Sequence, residues 1–385
     1  MKFSENFSNR LLNLKFASIV TGIALAITFV GFLLYKPEHT GNSEQVAKKV
    51  NQSNSLPSLS PIPSASPVTL SENIDNSKLT YNITTAPKLI KSKKLQSIVD
   101  KIVSYTKKNK FPTQRLSITI INLKTSEYAG YQQEILRYPA SVVKLFWMVY
   151  LYAQIEKGIL SEAEFTQHLD SMIKKSDNEA ASYIIDRITN TQYRKNINSK
   201  EYKNWSKKRL QVNKYFQKAG YDKINVSQKT FPIPSLKLSR PKGSELKLIV
   251  NSQKQIFNKI STKQVARLLY EIYKNKSVSA IYSQKMAKIL TINSATRNLK
   301  KDDKNLNEFN PVRGFLSEPL PDNIHFMGKA GWTSSHRNDA AIIATPDAKT
   351  AYILVVFAEN KAYASNWKIF PKISRLVFNR MINQK

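Results

Sequence analysis

The sequence has no cysteine and only four histidines, and these absences exclude several kinds of chemistry. Without cysteine there are no disulfides, no thiolate nucleophiles and no cysteine-based zinc sites. The histidines are scattered, and none is spaced as a helical pair of metal ligands four residues apart. They are His39, His168, His325 and His336. We therefore expect no metal and no other cofactor.

Acidic residues are scarce relative to basic ones. The chain has 27 Asp and Glu against 60 Lys and Arg, which gives a formal net charge of +33. Such an excess indicates an anionic environment or partner. Nucleic acid, acidic lipid and an acidic envelope polymer all fit the charge, so the topology of the chain has to decide between them.

One long run without charged residues, Phe16–Tyr35, is long enough as a helix to cross the hydrocarbon layer of a membrane. Basic residues precede it, which predicts that residues 1–15 are cytoplasmic, that residues 16–35 are a transmembrane anchor and that the remainder is extracytoplasmic. The alternative is a cleaved signal peptide and a secreted domain. An extracytoplasmic position argues against nucleic acid as a partner, and no nucleic-acid-binding motif is recognisable.

Residues 36–90 are rich in Ser, Asn, Thr and Pro, as in the stretch SLPSLSPIPSASP. This composition buries too little apolar surface to offset the entropy lost on ordering, so we expect a disordered tether. Residues 91–385 then form one domain.

Strand patterns occur at both ends of this domain, with mostly helical sequence between them. The predicted strands are residues 115–124, 127–132, 324–329, 339–345 and 351–358. Helices are predicted at 94–107 and 366–383, outside the two groups of strands. The pattern indicates an antiparallel sheet whose strands come from distant parts of the sequence.

Ser141 and Lys144 form an S-x-x-K motif at the start of an apolar helical run. A helix places residues three apart on one face, so the hydroxyl and the amine lie side by side. A neutral lysine can take the proton of the serine and make it a nucleophile for acyl transfer. By itself the motif is common, and a lysine that reaches solvent explains Lys144 equally well.

Two further motifs strengthen the catalytic interpretation. Ser176–Asn178 (S-D-N) lies in a turn between two helices, where a hydroxyl can relay a proton and an amide can hold a substrate, although helix capping also explains it. Lys329–Gly331 (K-A-G) lies on a late strand. A lysine followed by a glycine suits an anionic substrate bound in extended form, although a surface hairpin gives the same pattern.

The ordered set S-x-x-K, S-D-N and K-x-G resembles that of class A β-lactamases and penicillin-binding proteins, over about residues 94–378. The resemblance implies an α/β (α+β) fold of the β-lactamase/transpeptidase type, with a five-stranded antiparallel sheet flanked by terminal helices and an inserted all-helical domain. It implies that Ser141 is acylated, that Lys144 is the base, that Ser176 shuttles protons and that Lys329 acts electrostatically.

The resemblance also implies residues that bind the substrate. Asn178 and Gly331 are expected to contact it, and the backbone N–H groups of Ser141 and Trp332 are expected to form the oxyanion hole. The family carries Thr or Ser where this chain has Ala330, so one group for a substrate carboxylate is missing. The candidates to replace it are Thr333, Ser334 and Arg337, of which Arg337 is the preferred carboxylate clamp.

A second departure concerns deacylation. Class A enzymes carry a water-activating glutamate in a loop after S-D-N, but no E-x-x-x-N pattern occurs between Asn178 and Ser261. The segment that aligns has Pro232–Pro234 instead, with Glu245 only later. Without a positioned base, a long-lived acyl-enzyme is expected.

Three functions stay open on this basis. The first is hydrolysis of β-lactam amide bonds by a serine enzyme, and the second is a D-Ala-D-Ala carboxypeptidase or penicillin-binding protein. The third is a slowly deacylating module that senses β-lactams or the cell wall. The expected partners are a β-lactam or peptidoglycan-like small substrate and, through the N-terminal helix, the membrane, with anionic envelope polymers as a further candidate.

Overall fold

The computed structural model describes residues 79–250, 257–303 and 309–383. The predicted segments 1–15 and 16–35, and most of the predicted tether, lie outside these residues. Within the described ranges, no helix has both the length and the apolar character to span a membrane.

The described residues contain one sheet. Its strands are β1 (Ile90–Lys91), β2 (Leu116–Asn122), β3 (Glu127–Tyr131), β4 (His325–Thr333), β5 (His336–Ala344) and β6 (Ala351–Glu359). Their order is β1-β3-β2-β6-β5-β4, and all neighbours are antiparallel except β1 and β3. The five predicted strands are therefore present, and the two-residue strand β1 adds a sixth. Strands β4 and β5 are longer than predicted because their pairing continues to a tight hairpin at Thr333 and His336.

The helices lie before, between and after these strands. They are α1 (Lys93–Lys108), α2 (Lys144–Glu156), α3 (Glu162–Lys174), α4 (Asn178–Thr189), α5 (Ser199–Arg209), α6 (Gln211–Gln217), α7 (Gly243–Ile249), α8 (Thr262–Tyr273), α9 (Ala280–Leu290), α10 (Ser294–Asp302), α11 (Lys361–Ser365) and α12 (Ile369–Ile382).

The two faces of the sheet contribute to separate apolar cores, as the alternation of side chains along a strand requires. In β5, Ala341 and Ile343 pack with the terminal helices α1 and α12, whereas Ala340 and Ile342 pack with the inserted helices. Helix α2 lies inside the second core, and all its residues from Lys144 to Ile155 are buried. Its apolar run has no polar face because the helix is covered on all sides.

The packed domain begins earlier than the predicted boundary at residue 91. Leu79 and Tyr81, which fall in the predicted tether, are buried in the core of the inserted helices. The Tyr81 hydroxyl donates a hydrogen bond of 2.6 Å to Glu271 Oε2 in α8 and also contacts Ser277 Oγ. Leu79 and Tyr81 therefore attach this otherwise polar segment to the domain.

Candidate active site

Ser141 lies in a tight turn that leads directly into α2. Residues Ala140–Val143 form a single 3₁₀ turn, and the Val142 N–H donates to Pro139 O at 3.2 Å. Residues three apart eclipse one another in such a turn, so Ser141 and Lys144 lie on one side, as predicted. Ala140 has a φ of +47°, a strained conformation for a residue with a side chain. The turn is thus held in place by its surroundings.

Strand β4 contacts this turn through Gly331. A Cβ atom at Gly331 would lie 2.9 Å from both Pro139 O and Ser141 N, and 3.1 Å from Val142 N. Only a residue without a side chain lets the strand approach the turn so closely. The structure shows that this glycine admits the backbone of the serine turn, and its contact with a substrate stays a prediction.

Lys144 is fully buried and its amine points at the S-D-N turn. The Nζ atom donates to Ser176 O at 2.6 Å and to Asn178 Oδ1 at 2.9 Å, and Ser176 Oγ lies 3.5 Å away. Ser176 has a φ of +57°, so both serines lie in or beside a strained turn. The alternative of a lysine that reaches solvent is excluded.

Lys329 approaches the same hydroxyl from the sheet. Its Nζ atom donates to Ser176 Oγ at 2.8 Å and to Ala330 O at 2.9 Å, and it lies 5.6 Å from the centre of the Phe309 ring. The three motifs therefore converge, with the Ser176 hydroxyl between two buried lysines. Hydroxyl and amine groups at these distances can pass a proton between them.

Burial favours the neutral form of both lysines, and the charge of Lys329 adds to this effect at Lys144. The pKa of Lys144 is well below 10.5, first because of desolvation and second because of the neighbouring charge on Lys329, against a smaller opposing effect of Asp177. Burial lowers the pKa of Lys329 to about 7, and the buried carboxylate of Asp339 opposes this shift. Burial also raises the pKa of Asp339 to about 7. Asp339 was not among the predicted site residues.

The members of the S-D-N turn divide two tasks between them. Asp177 caps α4 by accepting a hydrogen bond of 2.6 Å from Ala180 N, which is the capping role that competed with a catalytic one. Ser176 and Asn178 instead face the cavity beside Ser141. One tripeptide thus both starts the helix and supplies polar groups to the site.

The cavity at Ser141 has a volume of about 640 Å³ and is largely apolar. Besides Ser141, Ser176 and Asn178, it is lined by residues that were not predicted: Tyr138, Ala140, Thr230, Phe231, Pro232, Asp303, Phe309, Asn310, Arg313, Phe315 and Trp367. Its size fits a small-molecule substrate. The aromatic side chains come from loops whose positions no local sequence pattern predicts.

Two residues of the β4 hairpin also line the cavity. The Trp332 side chain is 42% exposed, and its Nε1 donates to Ala364 O at 2.9 Å. The role of its backbone N–H in an oxyanion hole stays a prediction. Thr333 Oγ1 accepts from Ser335 N at 3.2 Å and lies 3.1 Å from His336 Nδ1.

Arg337 is not the predicted carboxylate clamp. It pairs with Trp332 across the hairpin, so its side chain points to the face of the sheet opposite Lys329 and Thr333. Its guanidinium is fully buried between the rings of Phe315 and Trp367. It donates to three backbone carbonyls, those of Gly314, Tyr363 and Ala364. The arginine that lines the cavity is Arg313 instead, 5.7 Å from the Trp367 ring.

No carboxylate stands in for the deacylating glutamate in the part of the cavity wall that the structure describes, where only Asp303 is acidic. The Asp303 carboxylate is 2.9 Å from Lys300 Nζ. Glu245 is fully buried and pairs with Arg209 at 3.2 Å, and it does not line the cavity.

The chain was compared with known families and solved structures. The model of the β-lactamase enzyme family matches residues 93–165 and 161–381. A β-lactamase from Sphaerobacter thermophilus DSM 20745 is 16% identical, with a TM-score of 0.51 over 74% of this chain and 97% of that one. A class A β-lactamase from Bacteroides cellulosilyticus DSM 14838 is 18% identical, with a TM-score of 0.51 over 76% and 100%. An acyl-enzyme complex of a PBP-A mutant with penicillin G is 14% identical, with a TM-score of 0.51 over 76% and 98%.

At these identities, the likeness to solved structures shows the fold. A search of curated proteins gave no match. The family match covers most of the chain, and it agrees with the order of the three motifs and with the sheet between terminal helices. The chain therefore belongs to the β-lactamase enzyme family and has the α/β fold of β-lactamases and transpeptidases.

Proposed function

We propose that this chain is a serine hydrolase that opens the amide bond of β-lactams through an acyl intermediate on Ser141. The observation that carries the proposal is the convergence of Lys144 and Lys329 on Ser176, with Lys144 also bound to Asn178, beside the serine turn and one cavity. Convergence of a nucleophile, a base and a proton relay is the arrangement that acyl transfer needs.

The hydrogen bonds of Lys144 support its role as the base. A neutral amine has two hydrogens and one lone pair, and two acceptors, Ser176 O and Asn178 Oδ1, already take the hydrogens. The lone pair then remains for the Ser141 proton. Burial and the charge of Lys329 lower the pKa of Lys144, which favours this neutral form.

The reaction then proceeds in balanced steps. Ser141 Oγ attacks the lactam carbonyl carbon while its proton passes to Lys144, and the oxyanion accepts hydrogen bonds from backbone N–H groups at the serine turn and β4. As the C–N bond breaks, the nitrogen takes a proton from Lys144 through the Ser176 hydroxyl. Water later attacks the ester and releases Ser141.

The test is mass spectrometry of the full chain after exposure to penicillin G, together with turnover of a chromogenic β-lactam. We expect one adduct on Ser141 that Ser141→Ala abolishes. Ser97→Ala, at an exposed serine of α1, serves as the matched control and should acylate normally. An adduct on another residue, or no adduct at all, contradicts the proposal.

A second candidate is a slowly deacylating protein, either a D-Ala-D-Ala carboxypeptidase of the penicillin-binding type or a β-lactam sensor. The observation that favours it is the single, ion-paired carboxylate Asp303 among the described residues that line the cavity. An adduct that persists for hours supports this candidate, whereas one that disappears within seconds supports hydrolysis. Release of D-alanine from a model peptide separates the carboxypeptidase from the sensor.

We also propose that this chemistry takes place outside the cytoplasm. The proposal rests on the uncharged run Phe16–Tyr35 and the basic residues before it. Protease added to intact spheroplasts is expected to digest the domain, and protection of the domain would contradict this location.

A further inference from the structure

A histidine contacts the Thr333 hydroxyl at the cavity wall. His336 Nδ1 lies 3.1 Å from Thr333 Oγ1 and 2.9 Å from Ser335 Oγ. The two strand positions are directly paired across the β4 hairpin, which fixes the distance between the side chains. Thr333 Oγ1 also accepts from Ser335 N. The single proton of the Thr333 hydroxyl is therefore its only means of donating to a bound substrate.

The surroundings of the imidazole determine which nitrogen carries the proton. Glu359 Oε1 lies 3.9 Å from His336 Nε2, and a carboxylate on that side favours the tautomer with hydrogen on Nε2. In the neutral ring, Nδ1 is then an acceptor. The edge of the Tyr138 ring packs on the imidazole at 5.2 Å, which limits rotation of the ring.

We propose that His336 controls whether Thr333 can donate a hydrogen bond to a substrate carboxylate. With neutral His336, the Nδ1 lone pair accepts from the hydroxyls of Thr333 and Ser335, which draws the Thr333 proton away from the cavity. When His336 is protonated, Nδ1 itself donates, and the Thr333 proton is released toward the cavity. The proposal rests on the proposed function, because it concerns the carboxylate of a β-lactam or a peptide bound at Ser141.

This arrangement makes anionic substrates bind better in acid. Burial holds the pKa of His336 below its ordinary value of 6.5; Glu359 opposes this shift, and Arg137 adds to it. These are the charged groups that act on the ring, from β6 and from the segment before the serine turn. The histidine is therefore neutral at pH 7.5 and gains its proton only below 6.5.

The experiment compares acylation of the full chain by penicillin G and by its uncharged methyl ester between pH 5 and pH 8. The quantity compared is the rate constant for penicillin G divided by that for the methyl ester. The titration of Lys144 changes both rate constants alike and therefore cancels in this ratio. We expect the ratio to rise roughly tenfold as the pH falls below 6.5, the size of one hydrogen bond to a charged group. Lys329 adds a separate transition near its pKa of about 7.

Two variants separate the effect of the Thr333 hydroxyl from the effect of the charge on His336. His336→Phe keeps a ring against Tyr138. At pH 7.5 its ratio of the penicillin G rate constant to the methyl ester rate constant should exceed that of the wild type, and as the pH falls only the Lys329 transition should remain. Thr333→Val keeps the imidazole but has no hydroxyl, so it should show a low ratio of the two rate constants without the rise below pH 6.5. His325→Phe, at the exposed far end of β4, is the matched control and should behave as the wild type. The Lys329 transition near pH 7 is common to all variants. A further rise below pH 6.5 that persists in Thr333→Val, or in His336→Phe, overturns the proposal.

Nitrogen NMR of the full chain labelled at histidine provides a readout that needs no acylation. At pH 7.5 His336 should carry its hydrogen on Nε2, and a hydrogen on Nδ1 overturns the inference. Absence of acylation by both compounds at every pH contradicts the proposed function instead, and the NMR result still decides the tautomer on which the inference depends.

Discussion

The close approach of β4 to the serine turn provides the most direct test of the site geometry. In Gly331→Ala, the added Cβ would lie 2.9 Å from Pro139 O and from Ser141 N. Ordinary contacts of a Cβ atom begin at 3.4 Å, so the strand and the turn must separate by about 0.5 Å. Both neighbours are backbone, and no flexible side chain can move aside.

The size of the effect follows from this displacement. Overpacking of this kind costs about 1–3 kcal/mol of unfolding free energy. A misplacement of about 1 Å between reacting groups can lower a rate about 100-fold, so a shift of half that size should lower acylation on the order of 10-fold or more. The loss in rate should therefore exceed any loss in the folded fraction.

The assay measures the acylation rate of Gly331→Ala by penicillin G, with thermal unfolding of the same sample. Gly158→Ala is the control for adding a Cβ without a clash: a Cβ there has no neighbour within 4 Å, and only the positive φ of +68° is unfavourable for alanine. It should lose about 1 kcal/mol through backbone strain and acylate normally. If Gly331→Ala acylates at the wild-type rate, β4 does not position the serine turn.

Three further substitutions test the charges and the domain boundary. Lys329→Met should lower acylation but stabilise the fold. The pKa of Lys329 is about 7 in the folded protein and 10.5 in the unfolded chain, so the buried charge destabilises the fold fully below pH 7, and this destabilisation fades as the pH rises to 10.5. Thermal unfolding should therefore show a gain in stability on the order of 4 kcal/mol near pH 6 and little gain near pH 10, before the loss of two hydrogen bonds is subtracted. An equal gain at both pH values would contradict this. Arg337→Met leaves three backbone carbonyls without their hydrogen-bond donor and should lower the free energy of unfolding, measured in urea, by roughly 3 kcal/mol or more. If its stability is unchanged and acylation by penicillin G falls while acylation by the methyl ester does not, Arg337 binds the substrate carboxylate after all. Tyr81→Phe removes one hydrogen-bond partner of the buried Glu271 and should lower the free energy of unfolding by about 1–3 kcal/mol. Unchanged stability would show that residue 81 is not part of the folded domain.

The sequence was sufficient for the parts of the site that lie on regular elements. Ser141 and Lys144 share a face because turn and helix geometry fixes residues three apart. The terminal strands and helices were recognisable from their periods of hydrophobicity, and their bounds agree with the structure to within a few residues at most ends. The motifs converge because the sheet joins strands from both ends of the domain.

The error at Arg337 was avoidable in part. Lys329 and Gly331 face the serine turn, and a two-residue hairpin after Thr333 pairs Arg337 with Trp332, on the other face. Counting the alternation through the hairpin would have placed Arg337 on the face opposite Lys329 and Thr333. The bounds of β4 and β5 were predicted too short for this count, because Thr, Ser and Asn near a hairpin resemble a loop.

The aromatic wall of the cavity was beyond local sequence patterns. Phe231, Phe309 and Trp367 come from three loops that are far apart in the chain and meet only through tertiary packing. The early start of the domain at Leu79 was missed for a related reason. A single pair of apolar residues in a polar segment is no signal until its partners, such as Glu271, are known.

The two buried lysines are best understood as a pair whose surroundings separate their protonation states. Both contact Ser176 Oγ, so a proton on one disfavours a proton on the other. Asp339 stabilises the charge of Lys329, and Asp177 stabilises that of Lys144, but the charge of Lys329 also acts on Lys144 and opposes its protonation. The Nζ atom of Lys144 is bound by two neutral oxygen acceptors. This difference supports the proposed roles, with the lysine on α2 as the base and the lysine on β4 as a charge that attracts a carboxylate. Surroundings that shift the pKa values of two titratable groups apart suit them to different roles. In the proposed mechanism, the role of each lysine follows from the element that carries its amine.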